Sequence, residues 1–292
     1  MAFGRKNGYD SGWKSHSRKG VVPLRTLAQR PYPSDLTDAQ WKRIARYFRR
    51  TSRRGAPRKY DRRAVVNAIL YLLRSGCQWQ MLPRDFPPPA AVYQIFYRWR
   101  KSGLWERMHD DLRAQVRKQA GKRAQPTAGI LDSQSVRTTH IGGDERGYDG
   151  GKRIFGRKRH IVVDTLGLLL AVVVHAASAQ DYAAAPGVLH LLWSRLHRIQ
   201  VVFADTIYGY CGLPEFIGAT LGLPLEIVRK PDQTTGRFEV QPKRWIVERA
   251  FAWLNLFRRH SKDYERNPET SETLIRVSLI HLMLKRLEPD ES

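Results

Sequence analysis

The spacing of hydrophobic residues changes near residue 125, and this change restricts the chain to a small set of architectures. Before it, apolar residues recur three and four positions apart, which is the period of an amphipathic helix. Trp41, Ile44, Ala45 and Phe48 form one such stripe. After it, short apolar runs bounded by turn residues alternate with helical patterns. This order predicts an α/β fold, not a β-sandwich, preceded by a small all-α region.

The all-α region, residues 34–124, contains four helical patterns. Thr37 followed by Gln40 fits a capping box at the start of the first pattern. The second pattern follows Asp61 and stops at Gly76, and the prolines after it exclude a continuous helix there. Two further patterns end near Gly103 and Ala120. Short helices of this kind are typical of helix-turn-helix-like modules, although the connection between the second and third helices is long for one.

The positive charge lies almost entirely in the first part of the chain. The net charge is +24, and residues 1–128 hold 29 basic and 8 acidic side chains, against 22 and 19 in residues 129–292. This asymmetry favours a module that grips a polyanion such as double-stranded DNA. Arg98, Arg100 and Lys101, on the outer side of the third helix, are the candidate contacts. A generally basic protein, or a helical bundle with solvated charges, remains the alternative.

The composition divides the chain into three parts. Residues 1–33 form a basic flexible arm, which either follows DNA phosphates or has no role. A polar stretch, Gln119 to Thr127, is the best linker between a helical DNA-binding domain at 34–124 and a catalytic domain at 125–292. No apolar run reaches the ~18–20 residues of a membrane helix, so no membrane contact is expected. The two cysteines are expected to be free buried thiols in a reducing cytosol.

Two aspartates follow apolar strands in the second part of the chain. Asp132 comes after Gly129-Ile130-Leu131, and Asp205 comes after Val201 to Ala204. Open α/β sheets place their sites at the carboxyl edge of the strands. Two buried carboxylates at that edge repel each other unless a cation neutralises both. The pair therefore indicates a cation site.

Glu248 is the third acidic candidate, on a helix expected from about Pro242 to Arg259. Arg244, Glu248, Asn255 and Arg259 lie on one polar stripe of that helix. Glu248 is either a metal ligand beside a DNA backbone or half of a surface ion pair with Arg244 worth about 0.3–0.5 kcal/mol. The spacing alone leaves both interpretations open.

The three acids define the expected chemistry. Ligands that are all oxygen favour Mg²⁺, or Mn²⁺, over zinc. Two such ions ~4 Å apart activate a water and stabilise the leaving oxygen of a phosphodiester. Joined to a DNA-gripping domain, this site predicts DNA strand cleavage or strand transfer.

A Gly-rich basic segment, residues 142–159, precedes a predicted hairpin. It lacks the spacing of a phosphate-binding P-loop. Its basic side chains either hold DNA phosphates near the acids or belong to a solvated loop. They are Lys152, Arg153, Arg157, Lys158 and Arg159.

Several stretches, in order from Tyr32 to Leu284, are similar to one protein family. The chain resembles the DDE-type transposases of bacterial insertion sequences, in the group usually numbered family five. The matching stretches are residues 82–88, 131–138, 146–152, 156–167, 244–249 and 255–265. The family pattern Tyr-x2-Arg-x3-Glu-x6-Lys is kept at Arg244 and Glu248, but Gln241 and Asn255 replace its first and last members.

The resemblance implies an RNase H-like catalytic domain with a mixed sheet and flanking helices. It implies that Asp132, Asp205 and Glu248 are the catalytic residues and hold two Mg²⁺ ions, and that Arg244 contacts DNA. The partners would be the ends of a mobile element and the target DNA, with a homo-oligomer in the synaptic complex. The location would be the bacterial cytoplasm, in association with the nucleoid.

Two other functions fit the same residues. A nuclease or resolvase on this fold would cut DNA by its shape and perform no strand transfer. A DNA-binding relic of a transposase would bind without cleaving. The intact acids favour an enzyme over the relic.

Overall fold

The computed structural model describes residues 32–49, 58–228 and 243–290. The predicted basic arm, except its last two residues, lies outside the described residues. Gln241, which departs from the family pattern, lies outside them too.

Four helices form the first part of the described chain. The capping box of Thr37 and Gln40 is present at the start of the first helix. Asp61 caps the second, and Gly76 ends it with a left-handed φ of 73°. The sequence prediction of these helices is confirmed. They are α1 (Asp38–Ile44), α2 (Arg62–Ser75), α3 (Pro89–Lys101) and α4 (Leu104–Gln119).

The second part alternates strands and helices. Its strands are β1 (Ala128–Arg137), β2 (Gly147–Asp149), β3 (Ile154–Val163), β4 (Leu169–Ala176), β5 (Val201–Ala204) and β6 (Leu225–Ile227). Its helices are α5 (Asp181–Arg195), α6 (Leu213–Leu221), α7 (Arg244–Leu254) and α8 (Pro268–Leu287).

These strands form one mixed sheet in the order β2-β3-β1-β5-β6, with β4 also paired to β3. The strands β1 to β4 pair in antiparallel fashion, whereas β5 is parallel to β1 and β6 is parallel to β5. The predicted α/β class is therefore confirmed, with an RNase H-like mixed sheet preceded by a helical region.

Successive side chains of a strand point to opposite faces of the sheet. Helices cover both faces and pack against these side chains. Leu131 of β1 packs in one core with the apolar residues of α5 and α6. Its neighbour Ile130 packs in another with those of α7 and α8. Asp132 lies two positions beyond Ile130 and thus on the α7 face, while Ser133 lies on the α5 face.

The final helix α8 also belongs to the core of the helical region. Leu274, Val277 and Ile280 of α8 pack with the buried residues of α1 to α4. The helical region therefore completes its core with residues from the end of the chain. The division of the chain at residue 124 into a helical domain and a catalytic domain remains a prediction.

The structure differs from the sequence expectations in five features. Strand β1 continues through Asp132 to Arg137, so Asp132 lies within a strand and not after it. Half of the expected loop at 142–159 is strand, in β2 and β3. Helix α7 ends at Leu254, earlier than expected, and α8 was not predicted. Cys77 is half-buried and Cys211 exposed, so the expected burial of both thiols is wrong.

Among the described residues, no helix is both long and apolar enough to cross a membrane.

Candidate active site

The parallel pairing of β1 with β5 brings Asp132 and Asp205 to one edge of the sheet. The register pairs Ile130 with Phe203, and each aspartate lies two residues further along its own strand direction. Both aspartates line one cleft together with Arg244 and Val247 of α7. The Asp205 Oδ1 atom also caps the 3₁₀ helix that follows β5, accepting the Ile207 N–H at 3.1 Å.

Helix α7 brings Glu248 to this edge through Arg244. The Arg244 Nε atom lies 3.1 Å from Glu248 Oε1, and its Nη2 lies 3.8 Å from Asp205 Oδ2. Both interpretations of Glu248 thus find support, because the ion pair with Arg244 is present and the same guanidinium reaches Asp205. The Glu248 side chain is 57% exposed, so it is free to turn toward the cleft.

The electrostatic environment holds the two aspartates at higher pKa than usual. Burial, together with the charge of Asp205, raises the pKa of Asp132 to about 6, against the opposing effects of the Ser133 N–H, Arg244 and Lys152. Burial also raises the pKa of Asp205, against Arg244 and the Ile207 N–H. Two carboxylates with raised pKa values at one edge are poised to gain from a cation.

The residues present fit a divalent metal only in part. Asp132 and Asp205 supply the oxygen ligands that Mg²⁺ prefers. Within residues 32–49, 58–228 and 243–290, however, no group of three His, Cys, Asp or Glu side chains is arranged to hold a metal ion. Arg244 occupies the place between Asp205 and Glu248. A three-carboxylate site therefore requires Arg244 to release Glu248.

A buried polar network supports Asp132 from the α5 face of the sheet. The Ser133 backbone N–H donates to Asp132 Oδ1 at 2.7 Å, and its hydroxyl donates to Asp181 Oδ1 at 2.9 Å. The ammonium of Lys158 lies 2.8 Å from Asp181 and 3.6 Å from Asp149. Asp181 is the first residue of α5, and Gln180 holds the N-cap position before it.

Residues 123–283 match the family model described as "Transposase DDE domain", which covers more than half of the chain. The chain belongs to the DDE transposase family. Residues 36–109 match a second model, "Putative transposase of IS4/5 family". Members of the DDE transposase family generally use divalent metal ions.

Two curated relatives of this DDE family member come from Burkholderia cepacia. The "Insertion element IS402 uncharacterized 16.2 kDa protein" is 29% identical over 82 residues, covering 27% of this chain and 54% of the relative. The "Putative transposase for insertion sequence element IS402" is 29% identical over 129 residues, covering 42% and 60%. The chain thus spans between half and two thirds of the length of these relatives.

Among solved structures, the DDE family member is similar to a chain in the "Crystal structure of the Mos1 Strand Transfer Complex". The identity is 12% and the TM-score is 0.28, over 82% of this chain and 79% of that chain.

Three of the predicted DNA contacts are buried inside this DDE domain. Arg157 and Arg159, each at most 1% exposed, point to the α7 and α8 side of β3 and donate to backbone carbonyls of residues 260–266. Lys158 points to the other face, into the network with Asp181. Since β3 is a central strand with helices on both sides, the prediction that these residues contact phosphates is wrong.

Four of the other predicted contacts lie on the surface. Lys152 and Arg153 are exposed in the turn before β3, and the charge of Lys152 lowers the pKa of both aspartates, which places it near the acids. On α3, Arg98 and Lys101 are exposed. Arg100 is mostly buried, 3.9 Å from Glu269.

Sequence reasoning missed the network around Ser133 and Asp181. The available signal was the alternation of polar residues along β1, where Ser133 and Ser135 share one face. It also missed the exposure of Trp245, which is 44% exposed beside Glu248.

Proposed function

We propose that this chain is a metal-dependent DNA transposase that binds the ends of a mobile element, cleaves a strand there and joins it to target DNA. The observation that carries the proposal is the convergence of Asp132 and Asp205 at one sheet edge, with Glu248 linked to Asp205 through Arg244. The family supports the reaction class, and this geometry supports the choice of residues.

The proposed roles follow from the chemistry of the donors. Asp132, Asp205 and, once Arg244 releases it, Glu248 would hold two Mg²⁺ ions, or Mn²⁺. Such ions supply Lewis acidity, which lowers the pKa of a bound water and offsets charge on the leaving oxygen. Ser133 would keep the Asp132 carboxylate oriented, because its N–H fixes one carboxylate oxygen.

The first reaction is hydrolysis. A water oxygen attacks phosphorus, the bond from phosphorus to the 3′ oxygen breaks, and the products are a 3′-hydroxyl and a 5′-phosphate. In the second reaction the freed 3′-hydroxyl attacks a target phosphodiester, displaces its 3′ oxygen and passes its proton to that leaving group or to solvent. No covalent protein–DNA intermediate is required.

The proposed partners are double-stranded DNA and further copies of this chain. The exposed cations Arg98 and Lys101 on α3, with Lys152 and Arg153 beside the acids, would contact phosphates of the element ends and the target. Bringing two ends together would require a homo-oligomer in the synaptic complex. The proposed location is the bacterial cytoplasm, in association with the nucleoid.

The test is cleavage of duplexes made from the DNA that flanks the coding region, with and without Mg²⁺. We expect a nick that depends on Mg²⁺, and joined products when target DNA is added. Asp132→Asn and Glu248→Gln should abolish both while retaining DNA binding. If both variants cleave like the parent, the proposed mechanism is wrong.

The two alternatives predict different products. Cutting of branched DNA without joined products would show a structure-selective nuclease or resolvase. Tight, salt-dependent binding without any product that depends on metal would show an inactive DNA-binding relic.

A further inference from the structure

Two arginines and a tryptophan line a cavity at the β3–β4 turn, outside the cleft that holds the two aspartates. The cavity has a volume of about 360 Å³ and lies between the ends of α4, α7 and α8 and the β3–β4 turn. Its lining includes Arg249, Trp253 and Arg286, together with Gln119 and Leu166, and no acidic residue.

Both guanidinium groups lie against the indole ring of Trp253. The guanidinium carbon of Arg286 is 4.1 Å from the ring centroid and that of Arg249 is 5.0 Å from it. Arg249 also lies 4.5 Å from the ring of Trp245, whose side chain is exposed beside Glu248. Stacked arginines are held in a fixed orientation, with their N–H groups directed away from the ring edge.

The two cations lack the neutralisation that other half-buried arginines of this protein have. Within the described parts of the chain, neither Arg249 nor Arg286 forms an ion pair with a carboxylate. Arg249 donates one hydrogen bond, from Nη2 to the Leu166 carbonyl at 3.2 Å, and its buried Nε has no partner. Burial and the charge of Arg249 both lower the pKa of Arg286.

The charge of one acid, Asp164, acts on Arg286 and raises its pKa, but this acid is already engaged. Asp164 accepts from Arg117 through one oxygen and from the N–H groups of Leu166 and Leu168, each at 2.9 Å, through the other. Its charge is therefore shared with a different guanidinium. Two like charges that share a cavity without a counterion are costly, and an anion placed between them would relieve that cost.

The family of this chain indicates which anion. A DDE transposase acts on DNA, and duplex DNA carries one phosphate per about 1.7 Å of helix axis, so a duplex held at the acids presents further phosphates to other parts of the protein surface. Arg249 follows Glu248 directly on α7, so this helix contributes side chains both to the acidic edge and to the cavity. Guanidinium groups bind such phosphates through paired N–H donors.

We propose that Arg249 and Arg286 hold a backbone phosphate of the bound DNA duplex, at a site separate from the three acids. This inference rests on the proposed function and adds a contact that does not depend on DNA sequence. Trp253 keeps both guanidinium groups in place, and Gln119 at the cavity rim donates to the same phosphate.

The experiment measures duplex affinity at several salt concentrations for the parent, Arg249→Gln, Arg286→Gln and the double variant. Each lost phosphate contact should lower the slope of log affinity against log salt by about 0.9. Arg286→Lys keeps the charge, and it should retain the slope. Arg198→Gln is the matched control, because Arg198 is exposed just after α5 on the opposite face of the sheet. It should change the slope less than either pocket variant.

Thermal unfolding shows whether each variant is folded. Inorganic phosphate and a mononucleotide are added as competitors of duplex DNA. An unchanged slope in the folded double variant would overturn the inference. The inference would also be overturned if the mononucleotide bound at Arg286 at concentrations where duplex DNA does not compete for that site. If Arg249→Gln unfolds, the pair Arg286→Gln and Arg286→Lys still decides the question. A parent that binds no DNA and forms no product would end the proposed function and this inference together. A parent that binds and cleaves, with unchanged pocket variants, would end this inference alone.

Discussion

Ser133 links the catalytic candidate Asp132 to Asp181 on the other face of the sheet. Its N–H holds one oxygen of Asp132 at 2.7 Å, and its hydroxyl donates to Asp181 at 2.9 Å. Neighbouring residues of a strand point to opposite faces, so one serine joins the acidic edge to the interior. The geometry of Asp132 therefore depends on groups that never reach the DNA.

Asp181→Asn should weaken the protein and misplace Asp132. Lys158, 4% exposed, would lose its nearer carboxylate, and breaking such a buried pair costs about 3 kcal/mol. Burial raises the pKa of Asp181, but the hydrogen bonds from Lys158 and Ser133 outweigh it and lower the pKa, so the contribution of Asp181 to stability is present at neutral pH and is lost as the pH falls through the folded value. Urea unfolding at pH 7 and pH 3 measures this, with the exposed Asp144→Asn as control. Equal loss in both variants would contradict the role of the network.

Asp132→Asn should stabilise the protein when divalent metal is absent. Burial raises the pKa of Asp132 to about 6 in the folded state, so ionised Asp132 opposes folding above that pH. The gain should be near zero below pH 4, grow as the pH rises to 6 and level off at about 2–3 kcal/mol. Thermal unfolding across this range in chelator measures it.

Added Mg²⁺ should reduce the stability advantage of Asp132→Asn over the parent. The ion offsets the charge of the parent's two carboxylates, so it should raise the unfolding temperature of the parent more than that of the variant. A variant that gains no stability at pH 7 in chelator would show that Asp132 is better solvated than its surroundings indicate.

Arg157→Ala should destabilise the fold by about 3–5 kcal/mol, because it leaves Asp263 buried without its guanidinium partner. Arg153→Ala, in the exposed turn four residues earlier, should change stability by less than about 0.5 kcal/mol. Denaturant midpoints compare the two. A stable Arg157→Ala with weakened DNA binding would restore the original sequence prediction for this residue.

Gly143→Ala should destabilise the loop that Arg157 holds. Gly143 has a φ of 64°, and a Cβ atom there would lie 2.4 Å from the Arg266 carbonyl oxygen. The left-handed conformation alone costs a non-glycine residue about 1–2 kcal/mol, and the clash adds to it. Gly150→Ala is the control, since a Cβ there meets nothing within 4 Å. Comparable unfolding temperatures for the two variants would contradict the packing of this loop against Arg266.

The sequence predicted the edge of the sheet better than its interior. Asp132 and Asp205 could be found because each follows an apolar run, and parallel strands bring such ends together. The burial of Arg157 and Arg159 could not be found, because their carbonyl partners lie about 100 residues away and a basic strand resembles a basic loop. The role of α8 depended on its contact with α4, which no local pattern encodes.

Glu248 was left between two interpretations for a related reason. The i, i+4 pair of Glu248 with Arg244 is a property of the helix, whereas the approach of Arg244 to Asp205 depends on how α7 packs against β1 and β5. The spacing along α7 therefore predicts the contact of Arg244 with Glu248 but not its contact with Asp205.

Arg244→Gln should bind Mn²⁺ more tightly than the parent. Arg244 lies between Asp205 and Glu248 and lowers the pKa of both Asp132 and Asp205, so its charge competes with a cation for the same carboxylates. Removing one charge close to the site should increase metal affinity by about tenfold, which corresponds to about 1.4 kcal/mol. Electron paramagnetic resonance of free Mn²⁺ measures the affinity without any turnover. Arg244→Lys keeps the charge and should stay close to the parent. Weaker Mn²⁺ binding by Arg244→Gln would show that Arg244 organises the carboxylates for the metal and does not compete with it.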